Sequence, residues 1–185
     1  TTLAGYWKAF TKTRSAVNLG TFVGAGGVRN LIIGKENRRA TPEELDAMKA
    51  AVARAMEEGA LGLSTALIYV PDRFASTDEI IALARVAASY GGSYITHLRD
   101  EGDGIDASLD EVFRIAREAT IPAEIYHLKT SGKKNWGRMP AVLKRLEEAR
   151  TQGLDVSADQ YPWTASSNDL VASLPFWLQE GSREK

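Results

Sequence analysis

The sequence has 185 residues, 44% hydrophobic and 25% charged, which fits a globular chain and excludes a disordered or fibrous one. A formal net charge of −1 excludes a general attraction to nucleic acid or to an anionic membrane surface, so neither is expected as a partner. The lack of cysteine excludes disulfides and thiolate chemistry within this stretch, and no apolar run approaches the roughly 20 residues that span a bilayer.

The start, Thr1-Thr2-Leu3-Ala4-Gly5, carries neither an initiator methionine nor a signal-peptide pattern. A cytoplasmic location is the expectation, and a periplasmic one stays open. Ala16–Val23 is a short apolar run that reads as a strand leading into a Gly-rich loop. Thr41-Pro42-Glu43-Glu44 opens a helix, with Thr41 as N-cap, Pro42 in the first turn and Glu44 completing a capping box. Leu45, Met48, Val52 and Ala55 follow at helical spacing, Gly59 closes the helix, and Ala60–Thr65 is the next strand. Thr77 is read as the cap of a helix carrying Ile80, Ile81, Leu83, Ala84, Val86 and Ala87, which ends at Gly91-Gly92. The strand Ser93–His97 follows. Ser108 and Glu111 read as a second capping box, ahead of Leu109, Val112, Ile115 and Ala116. Ala123–His127 is the next strand, Met139–Gln152 a helix lined by Val142, Leu143 and Leu146, and Leu154–Asp159 a further strand. The tail Leu174-Pro175-Phe176-Trp177-Leu178 is apolar and reads as a docking segment. Charged Arg183-Glu184-Lys185 follows it.

The strand ends Thr65, His97, His127 and Asp159 lie 32, 30 and 32 residues apart. That period suits successive strand–helix units in a parallel sheet. About five such units predict an α/β fold, either an open sheet or part of a (β/α)₈ barrel, which typically needs about 250 residues when complete. No Gly-x-Gly-x-x-Gly or P-loop pattern follows a strand, which favours the barrel segment.

His97 and His127 are the only histidines, and both fall at strand C-termini, where parallel folds gather ligands. Singly, each reads more readily as a hydrogen-bonded residue of a polar mouth; paired at matching positions, they become candidate metal ligands. A catalytic zinc usually takes three protein ligands and an open position. Asp159, Asp100 and Glu101 are possible oxygen donors, and spacing alone selects none of them. The loops after these strands, Arg99–Gly104 and Lys129–Gly137, read as solvated connections, except that Lys129 lies close enough to His127 to reach the same mouth and hold an anionic group. Asp159–Ser167, rich in hydroxyls and aromatics, reads as packed edge or substrate wall.

Five blocks in order, Gly59–Tyr69, Thr96-His97-Leu98-Arg99-Asp100-Glu101-Gly102, Ile125-Tyr126-His127-Leu128-Lys129, Asn135-Trp136-Gly137 and Ala158–Ser167, resemble the N-acyl-D-amino-acid deacylase (D-aminoacylase) family of the amidohydrolase superfamily. The likeness runs from about residue 17 to the C-terminus. It implies a partial (β/α)₈ TIM barrel of the metal-dependent amidohydrolase type, with residues 1–185 as the central segment of one catalytic domain whose N- and C-terminal parts are absent. It further implies zinc as the cofactor, His97 and His127 as its ligands, and Tyr69, Lys129, Tyr161 and Ser166 around the carboxylate of a small-molecule N-acyl amino acid. The family's proton-handling aspartate is expected outside the chain. Val23-Gly24-Ala25-Gly26 stands where the family commonly has a Val-Gly-His-Gly-like run, and Trp163 stands where tyrosine is frequent. The implied activity is deacylation of N-acyl-D-amino acids. The alternatives are a cyclic amidase or dihydroorotase-like hydrolase, or an inactive scaffold. The 185 residues alone are expected to be inactive, and open sheet edges to produce self-association or contact with the missing parts.

Overall fold

The structure is a computed structural model and describes residues 2–13, 15–168 and 170–179. Five strands, β1 (Val23–Gly24), β2 (Gly62–Ala66), β3 (Ser93–His97), β4 (Ala123–Ile125) and β5 (Val156–Ala158), form one parallel sheet in the order β1-β2-β3-β4-β5. Helices alternate with them: α1 (Leu3–Phe10), α2 (Ala25–Ile32), α3 (Pro42–Glu57), α4 (Thr77–Ser89), α5 (Ile105–Ala119), α6 (Met139–Thr151) and the short α7 (Phe176–Gln179). The strands pair in sequence order, as successive βα units of a barrel do. Among the described residues no helix is long and apolar enough to cross a membrane.

The strand alternation divides the sheet into two faces. Leu63, Thr65, Tyr94, Thr96, Ala123, Ile125 and Val156 are buried, and most pack with Met48, Val52, Ile80, Leu83, Leu109, Val112, Ile115 and Val142 of the covering helices in one apolar core. Ser64, Ala66, Ser93, His97, Glu124 and Ser157 occupy intervening positions and remain wholly or partly accessible, Ile95 beside them is buried, and Ser157 donates to Glu124 across the β4–β5 pair. A parallel sheet covered on both faces would be apolar on both. This largely polar second face is the one that carries His97. Gly62 permits the β2–β3 pairing, because a Cβ there would lie 1.9 Å from the Ser93 carbonyl oxygen.

The predicted α3 capping box is formed. Thr41 Oγ1 accepts the Glu44 N–H at 3.2 Å, and the Glu44 carboxylate accepts the Thr41 N–H at 2.8 Å. The α4 cap shifts by one residue to Ser76, whose Oγ accepts the Glu79 N–H at 3.2 Å, while Thr77 donates to Glu111. The Ser108–Glu111 box is not formed. α5 begins at Ile105, and Ser108 lies inside it with its Oγ accepting the Asp100 N–H at 2.9 Å. The strand expected over Ala16–Val23 shrinks to Val23–Gly24, because the segment sits at the sheet edge with one neighbour and leaves Val17 exposed. Residues 25–32, expected as loop, form α2 because Ala25, Val28 and Arg29 bury against the core. Leu143 faces solvent rather than the core. The Arg183-Glu184-Lys185 tail lies outside the described residues.

Candidate metal and substrate site

All the candidate site residues lie at or beyond strand C-termini. Tyr69 is in the loop after β2, His97 ends β3, Glu101 is in the loop after β3, His127 and Lys129 follow β4, and Tyr161 and Ser166 follow β5. The chain bends sharply at His127, which takes a left-handed backbone conformation (φ +39°) two residues beyond β4. Three hydrogen bonds to Asp159 hold that bend. Asp159 Oδ1 accepts the His127 N–H at 2.5 Å, its carbonyl accepts the Leu128 N–H at 2.9 Å, and its own N–H donates to the Ile125 carbonyl at 3.1 Å.

The bend brings the two imidazoles together, edge to face, with ring centroids 4.5 Å apart. The Tyr69 ring stands 5.7 Å from His97 and the Tyr161 ring 6.2 Å from His127. Lys129 Nζ lies 2.6 Å from Glu101 Oε1, 2.8 Å from His127 Nδ1 and 5.5 Å from the Tyr161 ring centroid. A cavity of about 550 Å³ is lined by these groups together with Ile68, Trp163, Ser166 and Asn168. His97, His127, Tyr69, Lys129, Tyr161 and Ser166, singled out in the sequence, thus line a single cavity.

The possible oxygen donors separate. Glu101 lies within the cluster: one donor atom each from His97, Glu101 and His127 falls within 4.8 Å of the others. Asp100 turns back on its own loop, where Oδ1 accepts the Gly102 N–H at 2.7 Å. Asp159 is committed to the His127 bend. Thr65, aligned by spacing with the histidines, is on the helix-covered face, hydrogen-bonded to Thr96 and Tyr94.

His97 Nδ1 is 2.9 Å from the Leu98 carbonyl, an acceptor only, so Nδ1 carries the hydrogen and Nε2 is the nitrogen left for a ligand. Burial pushes the His97 imidazole below its ordinary pKa, against the upward pull of the Glu101 carboxylate. The neutral ring is the metal-binding form. Two imidazoles in a partly buried polar cavity, with a carboxylate beside them, suit zinc or a related ion.

No family model matches the chain. It is 42% identical over 167 residues to the D-aminoacylase of Alcaligenes xylosoxydans xylosoxydans, a match covering 90% of this chain and 34% of that protein. Among solved structures, a D-aminoacylase described as defining a novel subset of amidohydrolases superposes with a TM-score of 0.84 at 40% identity, covering 88% of this chain and 34% of that one. The N-acyl-D-glutamate deacylase of Bordetella bronchiseptica, complexed with zinc and a phosphonate mimic of the tetrahedral intermediate, superposes with a TM-score of 0.84 at 34% identity and the same coverage. The chain spans about a third of the length of the curated relatives it matches.

Proposed function

From the chain's membership, over its matched residues, of the D-aminoacylase family of amidohydrolases, we propose that it is the central segment of a single (β/α)₈ domain that hydrolyses N-acyl-D-amino acids. The observation that carries this reading is the meeting of the His97 and His127 rings, 4.5 Å apart, at the C-terminal edge of adjacent parallel strands. His97 and His127 would hold zinc. When bound, zinc supplies Lewis acidity that polarises the acyl carbonyl and activates water.

The rest of the chemistry assigned to this chain is binding and orientation. Lys129 supplies a positive charge and Tyr69, Tyr161 and Ser166 supply hydroxyls around one cavity, a set suited to a single carboxylate. Holding the amino-acid carboxylate there fixes where the amide falls relative to the imidazoles, which is the positioning a hydrolase needs. The proton-handling aspartate belongs to a part of the barrel beyond this segment. The edges of β1 and β5, each paired on one side only among the described residues, are the surfaces on which the remaining strands, or another copy of the chain, would add.

In the complete protein, His97→Asn is expected to remove bound zinc and turnover of N-acyl-D-amino acids, with L-isomers and cyclic amides as non-substrates of the parent. Unchanged zinc content and activity in that variant would refute the proposal, and a preference for cyclic amides would move the enzyme elsewhere in the superfamily.

A further inference from the structure

We propose that Glu101 is a positioning residue: its carboxylate receives the Nδ1–H of His127, leaves Nε2 of that ring for the metal, and anchors the Lys129 ammonium at the substrate end of the cavity. The inference rests on His97 and His127 as the residues that hold the metal.

The loop after β3 is built to aim this side chain inward. The Asp100 N–H donates to Ser108 Oγ at 2.9 Å, and the Asp100 carboxylate accepts the Gly102 N–H, which turns the chain at residue 101. Gly104 leaves room for that carboxylate, since a Cβ there would lie 2.8 Å from Asp100 Oδ2. The Glu101 carbonyl accepts the Ser131 N–H at 2.7 Å and ties the loop to the one that carries Lys129. Thus fixed, Glu101 is only 11% exposed, with Oε1 2.6 Å from Lys129 Nζ, 3.1 Å from His127 Nδ1 and 4.0 Å from His97 Nδ1.

A ring nitrogen that carries the hydrogen and donates it cannot also be a metal ligand. His97 gives its Nδ1–H to the Leu98 carbonyl, and Glu101 Oε1, 3.1 Å from His127 Nδ1, is the carboxylate oxygen available to accept from His127 in the equivalent place. Metal-ligating histidines commonly donate their second ring N–H to a carbonyl or a carboxylate, which fixes ring orientation. Lys129 and Glu101 compete for His127 Nδ1, one as donor and the other as acceptor. A metal on Nε2 leaves Nδ1 as the protonated nitrogen and decides for Glu101. Lys129 then keeps its 2.6 Å bond to Glu101 and gives up the ring, so its charge is available to a substrate carboxylate. As a direct ligand through Oε1, Glu101 would share with the metal the oxygen that now contacts Lys129 and weaken that contact.

The test measures the zinc dissociation constant by chelator competition, and KM and kcat, in the complete protein for Glu101→Ala, Glu101→Gln and His127→Asn. Glu101→Ala is expected to weaken zinc by about 10- to 100-fold while still reaching the parent's zinc content at saturation. Glu101→Gln keeps a carbonyl acceptor for the ring but loses the charge that anchors Lys129. It is expected to show a smaller loss of zinc affinity and a rise in KM larger than the fall in kcat, at an unchanged melting temperature. His127→Asn reports on the metal site itself. If His127→Asn abolishes binding while both Glu101 variants match the parent, the role of Glu101 is refuted and the site stands. If Glu101→Gln fails to bind zinc at saturation as His127→Asn does, Glu101 is a ligand and the proposal is overturned. Unaltered zinc binding in His127→Asn would overturn the site and this inference with it.

Discussion

Asp72 offers the sharpest test of how the loop bearing Tyr69 is held. Its carboxylate is 7% exposed, Oδ2 accepts the Ala66 N–H at 2.6 Å at the end of β2, and Oδ1 is buried without a partner. Gly26 makes room for it, because a Cβ there would lie 2.7 Å from Oδ1. Burial pushes the carboxyl up from 3.8 to about 6, partly offset by the Ala66 N–H and by Arg99 and Arg29. At about 1.4 kcal/mol per pH unit, that gap corresponds to about 3 kcal/mol. Below the unfolded-state value both states are protonated and the cost vanishes. As pH rises through the folded-state value the native chain must bury a charge that the unfolded chain leaves in water, so the stability present at low pH is lost. Asp72→Asn keeps an oxygen for the Ala66 N–H and removes the charge. The amide nitrogen, left where Oδ1 had no partner, adds a penalty of about 1–3 kcal/mol that does not vary with pH. The variant-minus-parent stability is therefore expected to move by about 2–2.5 kcal/mol in favour of the variant between about pH 4 and pH 8. Urea unfolding of both chains, followed by far-UV circular dichroism across that range, reads the difference directly. A difference that stays constant with pH, or moves in favour of the parent, would refute the burial argument.

Two further outcomes follow from the core. Ile125 is fully buried in β4, directly before the bend that presents His127, and Ile125→Ala is expected to cost about 2–5 kcal/mol in urea unfolding; a cost below about 1 kcal/mol would mean that β4 is not packed as described. Arg29 and Glu79 are 1% and 5% exposed and paired at 2.7 and 2.8 Å, so Glu79→Gln strands a buried guanidinium and is expected to cost about 3–5 kcal/mol, whereas an exposed pair such as Lys49–Asp46 should be worth under about 1 kcal/mol by the same assay.

The parallel βα architecture was legible because its signals are local. Capping chemistry at Thr41 and most of the apolar spacing in α3 to α6 act within one unit, and the structure keeps them; the strand ends, at Ala66, His97, Ile125 and Ala158, lie within two residues of the positions that the spacing marked. The errors arise where a local pattern has two physical uses. Ser108 and Glu111 satisfy a capping spacing, yet inside α5 the serine serves the Asp100 N–H and the glutamate pairs with Arg99 and Thr77. Residues 25–27 look like loop because two of the three are glycine, and only burial of Val28 and Arg29 against distant elements makes them helix. In the site, His97 and His127 could be read from strand ends alone. Glu101 could not be separated from Asp100 or Asp159, because the choice depends on a turn at Asp100–Gly104 and on hydrogen bonds between loops some 30 residues apart. The left-handed conformation of His127 had no sequence signal, since a histidine takes it only occasionally and tertiary contacts to Asp159 decide when.

The central claim is that His97 and His127 supply two imidazole nitrogens to one metal ion. Zinc K-edge X-ray absorption on the complete, zinc-loaded protein tests it most directly. Two imidazole shells at about 2.0–2.1 Å are predicted for the parent, with the zinc signal lost from His97→Asn and from His127→Asn. A first shell and imidazole scattering unchanged in both variants would contradict the account.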